Sequence, residues 1–91
     1  MIRHTILVSN RLGLHARAAA KLVRLASHFS SDIFLSRVDA NQQIDSKSIL
    51  GVLMLAASKG THLVISISGR DEAEAKEAIC QLFETRFGEE I

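Results

Sequence analysis

The hydrophobic pattern of this chain switches repeatedly between a two-residue and a 3.6-residue period. That switching limits the fold more than any other feature. A chain that alternates short strands with short helices must bury one sheet face beneath a helical layer. Residues 61–68 set the strand pattern most plainly: Leu63, Ile65 and Ile67 fall on one side, and Gly69 closes the run. Residues 2–9 repeat it, with Ile2, His4, Ile6 and Val8 sharing a face. Residues 33–38 are β-branched and aromatic, and Asp39-Ala40-Asn41 turns them into a short strand at 42–45, a hairpin by turn length.

Between these strands lie the helical segments. In residues 16–28, Ala19, Leu22, Val23 and Ala26 recur at i, i+3, i+4 and i+7, and a run of alanines adds helix propensity at the start. Residues 48–57 read as a short apolar helix. The last helix opens on Asp71 with Glu74 three residues later, a capping-box-like start. It continues through Ala75, Ile79, Leu82 and Phe83 to Phe87, where Gly88 suits the C′ position. The order β-α-β-β-α-β-α predicts an α+β fold: an open-faced two-layer sandwich, with a four-stranded antiparallel sheet and three helices on one face. Proline is absent, and no linker or repeat divides the chain, so residues 1–91 are expected to form a single domain.

Composition narrows the function. Lys and Arg number 11 against 10 Asp and Glu, and aromatic residues are 4% with no Trp or Tyr, which excludes a general nucleic-acid binder. One cysteine, Cys80, cannot form an internal disulfide and reads as a small packing residue suited to a reducing compartment. No apolar run approaches the ~20 residues of a membrane span, and the amino terminus lacks a signal-peptide layout. A cytoplasmic monomer with no membrane insertion is expected. The four histidines lack close metal-ligand spacing and no Gly-rich phosphate loop is present, so neither metal nor cofactor is expected.

Chemistry concentrates at Gly13-Leu14-His15-Ala16-Arg17, a strand-to-helix junction. Gly13 permits a sharp turn, His15 falls at or beside the N-cap, and Arg17 lies in the first helical turn. The N–H groups of that turn lack intrahelical partners and carry the positive end of the dipole, so an anion such as phosphate is welcome there. The same field favours the neutral, nucleophilic form of an imidazole. Arg17 can add a charge-assisted bond to phosphoryl oxygens. A bare cap at His15 and a solvated Arg17 would be the bland reading of these types; their position at the junction outweighs it.

Gly13-Leu14-His15-Ala16-Arg17-Ala18-Ala19 resembles the active-site motif of the HPr family, the histidine phosphocarriers of the bacterial phosphotransferase system. Lys47-Ser48-Ile49-Leu50-Gly51-Val52 resembles that family's regulatory-serine motif. Motif spacing and element order also match, so the resemblance spans essentially the whole chain. The family usually has proline where this chain has Ala18; alanine retains an N–H that proline would remove. The resemblance implies phosphorylation of His15 on Nδ1 by enzyme I, with phosphoenolpyruvate as the original donor, and transfer to an enzyme IIA protein. It makes the chain a carrier with a covalent phosphohistidine and not a stand-alone catalyst. It also implies an HPr kinase/phosphorylase acting on Ser48, although Ser46 competes both as cap and as acceptor. Leu53-Met54-Leu55 followed by Ser58-Lys59-Gly60 has the flavour of the nitrogen-related branch, and Lys47-Ser48 suits kinase-controlled carriers of the sugar branch. Both branches stay open.

Two surfaces suit docking. Arg17, Lys21, Arg24 and His28 form a basic stripe running away from His15. The second helix has no polar face, and a two-layer domain cannot easily bury all of it. Val52 and Leu55 are expected inward, leaving Ile49, Leu50, Leu53 and Met54 for a partner. The competing reading is a non-catalytic regulatory or sensing module of the same layout, which would not need His15 at a helix start. An RNA-binding sheet would need exposed aromatics, and only Phe34 lies on a strand. His4 and His62 receive no role.

Overall fold

The computed structural model describes residues 1–89. Its regular elements are β1 (Ile2–Leu7), α1 (Ala16–Ala26), β2 (Asp32–Arg37), β3 (Ile44–Asp45), α2 (Ile49–Met54), β4 (His62–Ser68) and α3 (Glu72–Glu84), followed by a 3-10 turn at Arg86–Gly88. The strands form one antiparallel sheet in the order β1-β4-β2-β3. The expected open antiparallel sheet with three helices is therefore what the chain builds.

β4 sits between β1 and β2, with Ile6 opposite Leu63 and Ile33 opposite Ile67. That register gathers Ile6, Ile33, Leu35, Leu63, Ile65 and Ile67 onto one buried face. The helices cover it with Leu22, Val52, Ile79, Phe83 and Phe87. Each such side chain removed from water stabilises the fold by about 1.5–3 kcal/mol. Small residues let α1 approach closely, and its Ala18, Ala19, Leu22 and Ala26 are fully buried. Val23, expected inward, is only half-buried, because the buried stripe is rotated towards Ala18.

The helix ends differ from expectation for local reasons. α1 stops at Ala26, not His28, because Ser27 Oγ donates to the Val23 carbonyl (2.7 Å) while His28 and Phe29 make tighter three-residue backbone bonds. α2 is shorter than 48–57, and Ser48 is its N-cap. Asp71 is the N-cap of α3, as its position suggests, but its side chain makes no cap bond, and Glu74 makes no hydrogen bond among the described residues. Glu72 instead accepts from the Gly69 N–H at 3.1 Å. The Asp71 carboxylate reaches back to the loop after α1, accepting from the Ser30 N–H (2.9 Å), the Ser31 N–H (3.0 Å) and the Ser31 hydroxyl.

The Asp71 staple has a measurable signature. The Ser31 hydroxyl, then the Ser30 N–H, hold its carboxyl well below the usual range, at about 2. A depressed native value means that the unfolded chain binds the proton first. The staple's stabilisation is thus present above the ordinary value of 3.8 and lost as pH falls through about 2. Asp71→Asn should lower the urea midpoint at pH 7 and flatten the decline in stability below pH 4 (about the ordinary carboxylate range). A parental acid limb in the variant would show that the staple contributes nothing.

At the other end α3 stops at Glu84, well short of the expected Phe87. Arg86, Phe87 and Gly88 then adopt left-handed backbone, with φ of 56°, 58° and 73°. The first two cost roughly 1–2 kcal/mol each. Burial of Phe87, and its edge contact with Phe83 at 4.9 Å between ring centres, offset that cost. The turn swings the carboxy-terminal segment back across the start of α1.

Candidate functional site

The site grows out of the end of β1. Past Leu7 the chain stays beside the β4 entry through Val8 N–H to Thr61 O (2.9 Å) and Gly60 N–H to Val8 O (2.8 Å). Asn10 is buried, and its carbonyl accepts from Gly13 N–H at 3.2 Å, closing a turn. Gly13 has φ of 66°, and a Cβ there would lie 2.4 Å from the Ala57 carbonyl oxygen. That carbonyl accepts from Leu14 N–H at 2.8 Å, and the Leu14 side chain is buried. The chain is thus fixed just before His15.

His15 is the N-cap of α1, in extended backbone with φ −74° and ψ 178°. Its carbonyl accepts the first helical bond from Ala19 N–H (2.8 Å), but its ring makes no cap bond. The ring is therefore available for another task, and among the described residues no side chain caps the first-turn N–H groups, which suit an anion. No acidic residue occupies that turn.

Glu89 holds the ring. One carboxylate oxygen closes on His15 Nε2, and the other accepts from Asn10 Nδ2 at 3.1 Å. The same Asn10 nitrogen donates to the Gly13 carbonyl at 2.8 Å, tying the glycine turn to the carboxylate. The His15 and Glu89 side chains keep 25% and 15% of their exposure, so the pair lies in a shallow, reachable recess. The His15 hydrogen bond holds the Glu89 carboxyl below its usual value against the opposing effect of burial, with a further contribution from Asn10. Nδ1 has no hydrogen-bond partner among the described residues.

Arg17 stands two residues into the junction, exposed, and forms no ion pair among the described residues. Lys21, expected in the basic docking stripe, has its ammonium turned inward within the chain: it donates to the Phe87 carbonyl at 2.6 Å. It secures the returning carboxy-terminal segment, and Arg17, Arg24 and His28 remain as the exposed members. On α2, Val52 and Leu55 are buried, while Ile49, Leu50, Leu53 and Met54 are exposed. Leu50 and Met54 stand out at 69% and 75%.

The two serines separate cleanly. Ser46 is fully buried, with its hydroxyl donating to the Ile33 carbonyl at 2.8 Å, and is closed to a modifying enzyme in the folded chain. Ser48 is exposed, and its hydroxyl oxygen accepts from Gly51 N–H at 3.2 Å. Reasoning from sequence missed Asn10 and Glu89. Nothing in the local sequence points to Glu89, which lies 74 residues from His15 and arrives only through the left-handed turn. Among the described residues no cluster of three or more acidic, His or Cys side chains is arranged to hold a metal ion, and no helix is long and apolar enough to cross a membrane.

Comparison with known proteins identifies the family. The family model for the PTS HPr component phosphorylation site matches residues 2–85. Phosphocarrier protein HPr of Xylella fastidiosa is 48% identical over 90 residues, covering 99% of both chains. The phosphocarrier protein HPr of Cupriavidus necator is 46% identical over 89 residues, 98% of each. Among solved structures, HPr from Thermoanaerobacter tengcongensis superposes with a TM-score of 0.94 at 43% identity, covering 100% of both chains.

Proposed function

From the premise that this chain belongs to the HPr family, the phosphocarriers of the phosphotransferase system, we propose that His15 is its phosphorylated residue. It takes the phosphoryl group from phosphorylated enzyme I on Nδ1 and passes it to an enzyme IIA protein. The observation that carries this reading is the placement of the His15 ring at the N-terminus of α1, held through Nε2 and, among the described residues, unpartnered at Nδ1. A phosphoryl group on Nδ1 would meet first-turn N–H groups and the positive end of an eleven-residue helix. Arg17, which forms no ion pair among the described residues, can bond its oxygens. The chain supplies a nucleophile and anion stabilisation, and the partners supply the donor, the acceptor and exclusion of water. Incubation with radiolabelled phosphoenolpyruvate and enzyme I should add one acid-labile, base-stable phosphate per chain. A chain that stays unlabelled would overturn the assignment.

Docking in this reading centres on Ile49, Leu50, Leu53 and Met54, with Arg17 and Arg24 steering approach at the rim. Lys21 contributes by holding the carboxy-terminal segment. Ser48, at the edge of the apolar patch, is the regulatory phosphorylation site for a kinase of the HPr kinase/phosphorylase kind. The cap position tolerates the added charge, because a phosphate complements the helix end. Enzyme I must nonetheless bury the neighbouring Ile49 and Leu50, and an unpaired charge there is costly. Ser48→Asp should therefore raise the apparent KM for phosphotransfer about tenfold, the equivalent of ~1.4 kcal/mol, and lower kcat far less. A fall in kcat with KM unchanged would place the effect at His15, contrary to this reading.

A further inference from the structure

Glu89 lies beyond the stretch that the family model matches, yet its carboxylate closes on the ring proposed to carry the phosphoryl group. We propose that Glu89 is a positioning residue that keeps a proton on His15 Nε2 through both halves of the transfer cycle. The inference rests on His15 as the phosphoacceptor.

The arrangement around Glu89 is built rather than incidental. Its second oxygen is held by Asn10, a buried residue whose amide also grips the Gly13 carbonyl. The segment that brings it there runs through three consecutive left-handed residues. Strained backbone of this kind persists only where its surroundings over-determine it. Here they do: Phe87 is sealed in the core, and its carbonyl receives the Lys21 ammonium. The carboxylate is thereby aimed at a single atom, Nε2. The ring nitrogen left as nucleophile is set by the bond that the other nitrogen makes. An acceptor at Nε2 stabilises the proton there and leaves the lone pair on Nδ1.

The consequence can be followed through the chemistry. When the ring accepts, the Nδ1 lone pair forms the N–P bond. The bond from phosphorus to the donor's leaving atom breaks, and that atom keeps the electron pair. Nε2 retains its hydrogen, so the phosphorylated ring is cationic and faces the Glu89 carboxylate. When the ring donates, the N–P pair returns to Nδ1 while a new bond forms from the acceptor's nucleophile to phosphorus. Because Nε2 is still protonated, the leaving group is neutral imidazole and not imidazolate. No proton has to enter or leave His15 during either step.

Two variants of the full chain separate the hydrogen bond from the charge. Glu89→Gln keeps an acceptor oxygen, whereas Glu89→Ala removes it. In nitrogen-15 spectra of the unphosphorylated protein, the parent should show a downfield Nε2–H proton protected from exchange with water. Glu89→Gln should retain that signal, and Glu89→Ala should lose it. Glu89→Ala should transfer phosphate to enzyme IIA about tenfold more slowly than the parent in a single turnover, with the KM for enzyme I nearly unchanged, whereas Glu89→Gln, which keeps the proton on Nε2, should transfer at close to the parental rate. A protected Nε2–H in Glu89→Ala, a parental transfer rate in Glu89→Ala, or a loss in Glu89→Gln as large as in Glu89→Ala would overturn the role. A parent that takes no phosphate would overturn the phosphocarrier reading and this inference with it. A labelled parent beside a fully active Glu89→Ala would overturn this inference alone.

Discussion

His15→Ala should take up no phosphate from phosphoenolpyruvate and enzyme I, a loss of at least ~1,000-fold, while remaining folded with nearly parental stability. Loss of the attacking atom removes the covalent step entirely, and no neighbouring group can replace it. His4, His28 and His62 are exposed, but none is the N-cap of α1. The stability half of the expectation follows from what His15 does not do. Its ring contributes no cap bond to α1, and its contact with Glu89 joins two partly exposed side chains in a shallow recess. Such a contact is worth about 0–1 kcal/mol, so the melting temperature should fall by only a few degrees for a domain of this size. Stoichiometric, acid-labile label on His15→Ala would move the assignment to another residue. A variant that unfolds would show that the ring carries structural weight not visible in its contacts.

The parts of this molecule that could be read from sequence are those governed by local rules. Period-two alternation marked Leu63, Ile65 and Ile67 as inward, and they are fully buried. The all-apolar second helix could not hide every side chain, and Ile49, Leu50, Leu53 and Met54 are indeed its exposed members. The glycine-to-helix junction placed His15 at the N-cap for reasons contained in five consecutive residues. What escaped reading depends on distant partners. Asp71 resembled a cap by its spacing to Glu74, but the competing acceptor role towards Ser30 and Ser31 is set by how the loop after α1 folds over. Lys21 had the spacing of a basic docking stripe, and only the reversal at Arg86–Gly88 gives it a carbonyl to bind. Ser46 and Ser48 were equivalent by residue type. The β2–β3 pairing that buries one and the helix start that exposes the other are tertiary facts.

Gly13→Ala should destabilise the fold by about 3 kcal/mol, combining ~1–2 for left-handed backbone with ~1–3 for forced displacement of neighbours. The corresponding drop in melting temperature is on the order of 15 °C. The added Cβ would lie 2.4 Å from the Ala57 carbonyl oxygen and 2.8 Å from Ser58 Cα, both backbone atoms that no rotamer change can move aside. Nor can that segment yield easily. Arg37 donates to the Leu55 and Ala56 carbonyls, Leu55 and Ala57 are buried, and Ala56 already has φ of 49°. Displacement would instead break the Leu14 N–H bond to Ala57, which fixes the chain one residue before His15. Phosphotransfer should therefore slow even at temperatures where the variant is folded, because the ring loses its fixed relation to the start of α1 and to Glu89. Gly60→Ala is the control, since Gly60 also has positive φ (93°) but no neighbouring atom of the described residues within 4 Å of its Cβ position. It should show only the backbone part, about 1–2 kcal/mol, with phosphotransfer intact. Denaturant melts of the two variants, paired with single-turnover transfer in the cold, isolate the contact with Ala57. Equal destabilisation, or full transfer activity in Gly13→Ala, would mean that the close approach beneath Gly13 does not set the position of His15.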